Sequence, residues 1–176
     1  LATANGLQAF DLDTYAYRPS TATAAGTTTT RKTPTELRAI DLRHGSDGYG
    51  SAVYALLPTR RGLLKGTISG LYLGRRQIAF CQGTQPLVNA LAYDAHRRCY
   101  WIGTEGALYR ADLQLKSFTR IDALNGHSIK CFALAANGTL YIGTDDGLFS
   151  MAVSGTISHY QHDSHDASSI PNNIVW

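Results

Sequence analysis

Apolar residues in this chain come in short runs, broken at close intervals by glycine and small polar residues. Three runs set the pattern: AVYALLP (52–58), LVNALAY (87–93) and SIKCFAL (128–134). After each comes a longer phrase: LLKGTISGLYL (63–73), YWIGTEGALYR (100–110) and LYIGTDDGLFS (140–150). In these phrases Gly66–Thr67, Gly103–Thr104 and Gly143–Thr144 fall in register. A last short run closes each unit: QIAFCQ (77–82), SFTRID (117–122) and ISHYQH (157–162). A weaker copy opens the chain, with Ala2–Thr3 in the Gly–Thr place and Gly6–Leu7 after it.

Runs of about five or six residues bounded by turn signals predict β-strands. Asn137-Gly138 is a strong hairpin signal, because both residues tolerate positive φ. DAHRR (94–98) and PTRRG (58–62) hold the same place in the other units. Gly70 and Gly147 mark the next reversal. In the middle unit the glycine stands one place earlier, at Gly106, with Ala107 in its slot, which predicts a turn of another type. Four antiparallel strands recurring about every 40 residues predict the blades of a β-propeller. The first run of each unit is almost continuously apolar, as a strand covered on both faces requires. Ala55, Ala90 and Cys131 are small where innermost strands crowd the axis. The expected fold is all-β, with blades of four antiparallel strands in a partial propeller of about four blades.

The same pattern divides the chain. Residues 1–18 read as the end of a blade, 51–82, 87–122 and 128–162 as blades, and 163–176 as a linker with the first strand of the next at 170–176. Between them, 19–50 is a Thr-rich insertion or loop (PSTATAAGTTTTRKTPTE), followed by an expected strand at 37–43; that composition buries little apolar surface.

Composition agrees with a β protein. Of 176 residues 44% are hydrophobic and only 16% charged, with 17 Gly and 10 Tyr. The net charge of +3 is slight, and arginine occurs in scattered pairs (Arg60–Arg61, Arg75–Arg76, Arg97–Arg98), so nucleic acid is not an expected partner. Three cysteines, Cys81, Cys99 and Cys131, without a C-x-x-C pair fit neither a disulfide framework nor a zinc site. No apolar run approaches the length of about 18 residues that a membrane span needs, so no membrane contact by this region is expected. The N-terminus lacks signal-peptide features and an initiator Met, which suggests a piece of a longer protein.

Reactive motifs are few. HYQHDSHD gathers His159, His162, His165, Asp163 and Asp166, but it begins in a strand, where His159 and His162 point to opposite faces, and ends in a loop. It reads as solvated, with no metal bound. GTISG (66–70) belongs to the repeat and has its serine one place too late for a nucleophile elbow. HGSDG (44–48) reads as a turn, since triad partners meet from distant segments. The sequon Asn137-Gly138-Thr139 is accounted for by its hairpin. Tyr100, Trp101, Tyr109 and Phe118 recur in phase with the repeat and are expected in the core between blades. Trp176, the last residue, begins a strand whose continuation is absent and is expected to be more exposed here than in a parent protein.

The phrase W-I-G-T-x-x-G-L-Y, together with HDASSIPNNIVW, resembles the two-component-regulator propeller repeat. Asp166, Ser169, Ile170, Pro171, Asn172, Asn173 and Val175 match that family's D-x-x-x-x-S-L-P-x-N-x-V-like linker to the next blade. The resemblance covers 51–176 well and 1–18 weakly, and departs at Lys65, where the repeat has an apolar residue. It implies the periplasmic sensor region of a Bacteroides-type hybrid two-component histidine kinase in the inner membrane, detecting a carbohydrate or related nutrient. This region itself would be non-enzymatic, with no catalytic residue and no cofactor, and the kinase would lie in other domains.

Loops between second and third strands share a face with the loops leading into the next blade. On that face Tyr49, Glu105, Asn125, His127 and Asp145 are the candidate ligand-binding residues, mixed polar and aromatic groups suited to a small-molecule or oligosaccharide ligand. The remaining blades of a parent protein are expected partners, and open blade edges also favour a homodimer. A propeller enzyme of lyase or dehydrogenase type is the alternative. A protein-interaction scaffold using its rim is another.

Overall fold

The computed structural model describes residues 52–176, together with the backbone of four short strands nearer the N-terminus. Tyr49, the Thr-rich segment and the strand expected at 37–43 lie outside the described residues. The N-terminal strands are β1 (Ala2–Thr3), β2 (Gly6–Leu7), β3 (Ala9–Asp11) and β4 (Ala16–Arg18). β1 pairs with β2 and β3 with β4, and Thr3 lies opposite Gly6. The same Thr–Gly pairing recurs downstream as Thr67–Gly70 and Thr144–Gly147.

Three four-stranded antiparallel sheets follow. The first blade is β5 (Val53–Thr59), β6 (Gly62–Thr67), β7 (Gly70–Leu73) and β8 (Arg76–Ile78). The second is β9 (Val88–Asp94), β10 (Cys99–Thr104), β11 (Leu108–Ala111) and β12 (Phe118–Ile121). The third is β13 (Ile129–Leu134), β14 (Leu140–Thr144), β15 (Gly147–Met151) and β16 (Ile157–Tyr160). In each sheet the strands lie in chain order, and β5, β9 and β13 neighbour one another. They are therefore the inner strands of adjacent blades, as the repeat predicts.

The middle blade is covered on both faces, so every residue of β10 is buried. Its side chains alternate between two cores. Tyr100 and Ile102 join Leu64, Leu71, Ile78 and Val88 on the side of the first blade. Trp101 joins Ile129, Leu140, Ile142 and Met151 on the side of the third. Leu64, Leu71, Ile102, Leu140 and Ile142 have no exposed surface, and burying each contributes about 1.5–3 kcal/mol.

The Gly–Thr phrase has two separate causes. The glycine is where blades touch: a Cβ on Gly66 would stand 2.7 Å from Val88 Cγ1, one on Gly103 2.5 Å from Ile129 Cγ2, and one on Gly143 3.0 Å from Val175 Cγ1. The threonine closes the turn. Thr67, Thr104 and Thr144 are buried, and their hydroxyls donate to the carbonyls of Gly70, Ala107 and Gly147 at 3.0, 2.8 and 2.9 Å. Gly70 and Gly147 have φ of +112° and +98°. In the outer turns the threonine oxygen accepts from Ser69 and Asp146 N–H two residues on, at 3.1 and 3.0 Å, whereas in the middle turn Ala107 N–H, three residues on, reaches Thr104 Oγ1 at 3.0 Å, the different turn that the shifted glycine predicts.

Each inner strand carries a bulge at the same place. The pairing runs Val53–Thr67 then Ala55–Gly66, Val88–Thr104 then Ala90–Gly103, and Ile129–Thr144 then Cys131–Gly143. Tyr54, Asn89 and Lys130 are left without a partner. The extra residue reverses parity, as one added residue in a period of two must. Val88 thus packs towards the first blade and Ala90, two residues on, towards the third. The small residues at 55, 90 and 131 are those lying across from the contact glycines, a more local cause than crowding at the axis.

Two elements differ from expectation. The fourth strand of the first blade stops at Ile78, and Phe80 turns inward, its ring 5.0 Å from Tyr109 and 5.9 Å from Phe118. Gln85 holds that loop by accepting Phe80 N–H at 3.0 Å and donating to Cys81 O at 3.0 Å. Residues 170–176 form no strand: two backbone bonds, Val175 N–H to Thr144 O at 2.9 Å and Gly147 N–H to Asn173 O, tie them to the third blade without a continuous ladder.

On the far side from the Gly–Thr turns, the β9–β10 hairpin carries a clasp that the sequence reading passed over as a turn. Asp94 is fully buried and accepts from Arg97 N–H at 2.9 Å, Arg97 Nη1 at 2.6 Å and Trp101 Nε1 at 3.0 Å. Arg97 continues into the third blade, donating to Gly138 O at 2.8 Å and Ala152 O at 2.6 Å. Burial works to raise the Asp94 pKa, but the hydrogen bonds from Arg97 and Trp101 and the guanidinium charge outweigh it and hold it below the ordinary 3.8.

Gly103→Ala should lower stability by about 1–3 kcal/mol through overpacking against Ile129, whereas Gly106→Ala, which meets nothing within 4 Å, should change it by less than about 0.5 kcal/mol. Urea midpoints of the two variants check this. Arg97→Ala should cost about 3–5 kcal/mol, since it leaves a buried carboxylate unpaired. A depressed folded pKa stabilises at pH above the unfolded value and loses that contribution as pH falls through the folded one. The stability of the native protein should therefore drop below about pH 4, with Asp94→Asn lacking that segment of the pH profile.

Candidate ligand-binding face

The loop leading into the third blade, Asp122 to Ser128, opens with a turn of 3-10 helix at Asp122–Leu124. Leu124 is fully buried and anchors it. Gly126 N–H then donates to Gly106 O at 2.8 Å, which seats this loop on the β10–β11 turn of the blade before. Glu105, Asn125 and His127 are thereby brought to one region of one face. Glu105 and Asn125 are exposed, and His127 is partly so.

Asp145 is on the same face but is engaged in holding the backbone. Its Oδ1 accepts Ser128 N–H at 2.9 Å, and its own N–H donates to Ser128 O at 3.2 Å. Its neighbour Asp146, not singled out by the sequence, is where side chains converge. Asp146 Oδ2 lies 3.8 Å from His127 Nδ1, and Oδ1 accepts from Gln161 Nε2 at 2.8 Å. His159 Nε2–H donates to the Asp146 carbonyl, while its ring stacks on Phe149 at 3.8 Å with the planes 9° apart. His127 sits 5.0 Å from the same phenyl ring. The signal available in the sequence was the second aspartate of GTDDG, which the repeat register alone does not separate from the first.

The linker past β16 is held by its own side chains. Asn173 Oδ1 accepts His162 N–H at 2.6 Å, and its carbonyl accepts from Gly147 N–H. Ser169 Oγ accepts Asp163 N–H at 2.9 Å and donates to Asp163 O at 3.0 Å. Asp166 Oδ1 accepts from Ser168 N–H and Oγ at 2.8 and 2.6 Å, which holds its carboxyl below the usual aspartate range. His162 Nδ1 donates to Ile170 O at 2.9 Å, and His165 is almost wholly exposed. Among the described residues no cluster of His, Cys, Asp and Glu could hold a metal ion. Burial pushes the Cys99 thiol up to about 11, helped by the Asp94 charge, and raises Cys131 as well, so both stay protonated at neutral pH.

Blades of this form have solved counterparts. The chain is similar to the extracellular domains of Bacteroides thetaiotaomicron hybrid two-component systems. It superposes on that domain of the putative hybrid two-component system BT4673 with a TM-score of 0.64 and 32% identity over 73% of its length. A second structure of that domain, described as belonging to a putative one-component system, gives 0.63 and 32% over 72%. The extracellular domain of BT3049 shares the fold, at a TM-score of 0.56 and 18% identity over 70% of the chain. This chain spans 19%, 18% and 17% of those proteins. No family profile and no curated protein matches it. Among the described residues no helix is long and apolar enough to cross a membrane.

The two acidic residues of the face should respond differently to truncation. Asp145→Ala should cost about 1–2 kcal/mol by releasing the Ser128 amide, and Glu105→Ala, exposed and bonded to nothing described, should stay within about 0.5 kcal/mol. Thermal or urea unfolding of both variants separates the structural carboxylate from the free one.

Proposed function

We propose that this chain is part of the periplasmic, non-enzymatic ligand-sensing propeller of a membrane-bound hybrid two-component histidine kinase, and that its ligand is a carbohydrate or related nutrient. The observation that carries this reading is the 32% identity over 73% of the chain with an extracellular domain of such a system. The face formed by the β10–β11 turn and the loop into the third blade supports it. Residues from two blades meet there, and exposed carboxylate, amide and imidazole groups suit a hydroxyl-rich ligand. A bound sugar alters signalling only through contacts that differ between two arrangements of the sensor. The output would pass to kinase and regulator domains of the parent protein.

The test is a thermal-shift screen of the protein against mono- and oligosaccharides, with the same mixtures analysed for products. A true ligand at a hundredfold excess over its Kd should raise Tm by about 5–10 °C and be recovered unchanged. Turnover of any sugar would favour a propeller enzyme. A panel with no shift at millimolar concentration would overturn the carbohydrate assignment.

A further inference from the structure

The three bulges put one side chain per blade where neither packed face uses it. β5, β9 and β13 are inner-edge strands, each with its only sheet partner on the outer side. A residue left out of the ladder there lies at the inner edge of its sheet. Tyr54, Asn89 and Lys130 occupy this place at the same register, at the end of each inner strand nearest the Gly–Thr turns. A fourth member follows from the glycine contacts. Val175 covers Gly143 as Ile129 covers Gly103 and Val88 covers Gly66, so Trp176 stands where Lys130 and Asn89 stand. The two side chains are adjacent, with Lys130 Nζ 5.2 Å from the centre of the Trp176 ring.

The row thus reads Tyr54, Asn89, Lys130, Trp176 around the inner rim. Tyr54 is 48% exposed, and Asn89 and Lys130 are part-buried. Among the described residues no carboxylate pairs with Lys130. Aromatic rings at both ends, an amide and an ammonium that no described carboxylate neutralises form a recognisable set: rings to stack on sugar faces, a donor–acceptor for hydroxyls and one positive charge. β-Bulges are used elsewhere to re-aim a side chain at a site.

We propose that this axial row is a binding site for an acidic saccharide, a pyranose chain bearing a carboxylate or sulfate that Lys130 receives while Trp176 and Tyr54 stack on its rings. The proposal rests on the sensing function above and specifies its site and ligand class. Trp176 supplies the probe, because the only other tryptophan, Trp101, is 1% exposed.

The experiment follows intrinsic fluorescence and calorimetric binding of the protein with neutral, uronate and sulfated trisaccharides, in the native chain and in Lys130→Gln, Tyr54→Ala and Trp176→Phe. Circular dichroism verifies that each variant is folded. At least one acidic class should bind and shift the Trp176 emission. Lys130→Gln should weaken that binding at least about tenfold, the order of one charge-assisted contact, and leave acidic and neutral sugars nearly equal. Trp176→Phe should abolish the optical change. The uronate and sulfate arms identify which anion is read. Saccharide binding that all three substitutions leave within twofold, or that favours neutral sugars in the native chain, would overturn this site and leave the sensing function standing. Failure of every saccharide to bind would remove the carbohydrate assignment as well.

Discussion

The fold depends on one contact repeated along the chain: a second-strand glycine with a branched side chain of the segment that follows its blade laid directly on it. Gly66, Gly103 and Gly143 leave no room for a Cβ because Val88, Ile129 and, at Gly143, Cys131 together with Val175 already fill that space. Ordinary core packing tolerates volume-conserving exchange, but a backbone covered at this distance admits only hydrogen. Much else follows. The inner strand must present one residue to the blade behind and, two positions later, a small one across from its own glycine. An unbroken strand would put both on the same face, so the bulge is required by the stacking, and the residue it expels is released from both cores.

That reasoning separates what the sequence made legible. Gly–Thr and Trp101 were readable because each is fixed by a local rule repeated in phase, and Trp101 lies buried between blades as its place in the repeat required. The bulges were not, since an extra residue in an apolar run such as LVNALAY leaves no mark on composition; it emerges only when ladder pairs are matched. Phe80 was read as the continuation of a strand because QIAFCQ has strand chemistry, whereas the ring has more to gain between Tyr109 and Phe118 than in an outer ladder. Arg97 looked like one of several scattered surface arginines. Only the approach of the third blade brings the carbonyls of Gly138 and Ala152 within its reach.

The candidate face shows the same limit at finer grain. Topology alone placed Glu105, Asn125 and His127 together, and the Gly126–Gly106 hydrogen bond is the reason they meet. Topology does not say which carboxylates are already engaged. Asp145 and Asp146 are adjacent and chemically identical, yet one ties down the Ser128 amide and the other gathers His127, Gln161 and the His159 ring through its side chain and carbonyl. The linker motif is the converse case: its Asp, Ser and Asn were recognisable as a pattern, and the structure supplies their work as hydrogen-bond partners of otherwise open backbone.

These constraints bear on how such a sensor would respond to ligand. The glycine contacts and the Asp94–Arg97 clasp leave adjacent blades little freedom to slide, because close-packed interfaces are bistable and not continuously deformable. A ligand would therefore gain little by pulling on the cores. On the proposed reading it would gain most from groups held outside them, the bulged row at the inner edge and the loops seated on neighbouring turns, where one molecule could touch several blades at once. Contacts of that kind are additive across blades and are lost together if the blades part. Binding there would favour one closed arrangement by its full differential affinity while leaving each blade's interior unchanged.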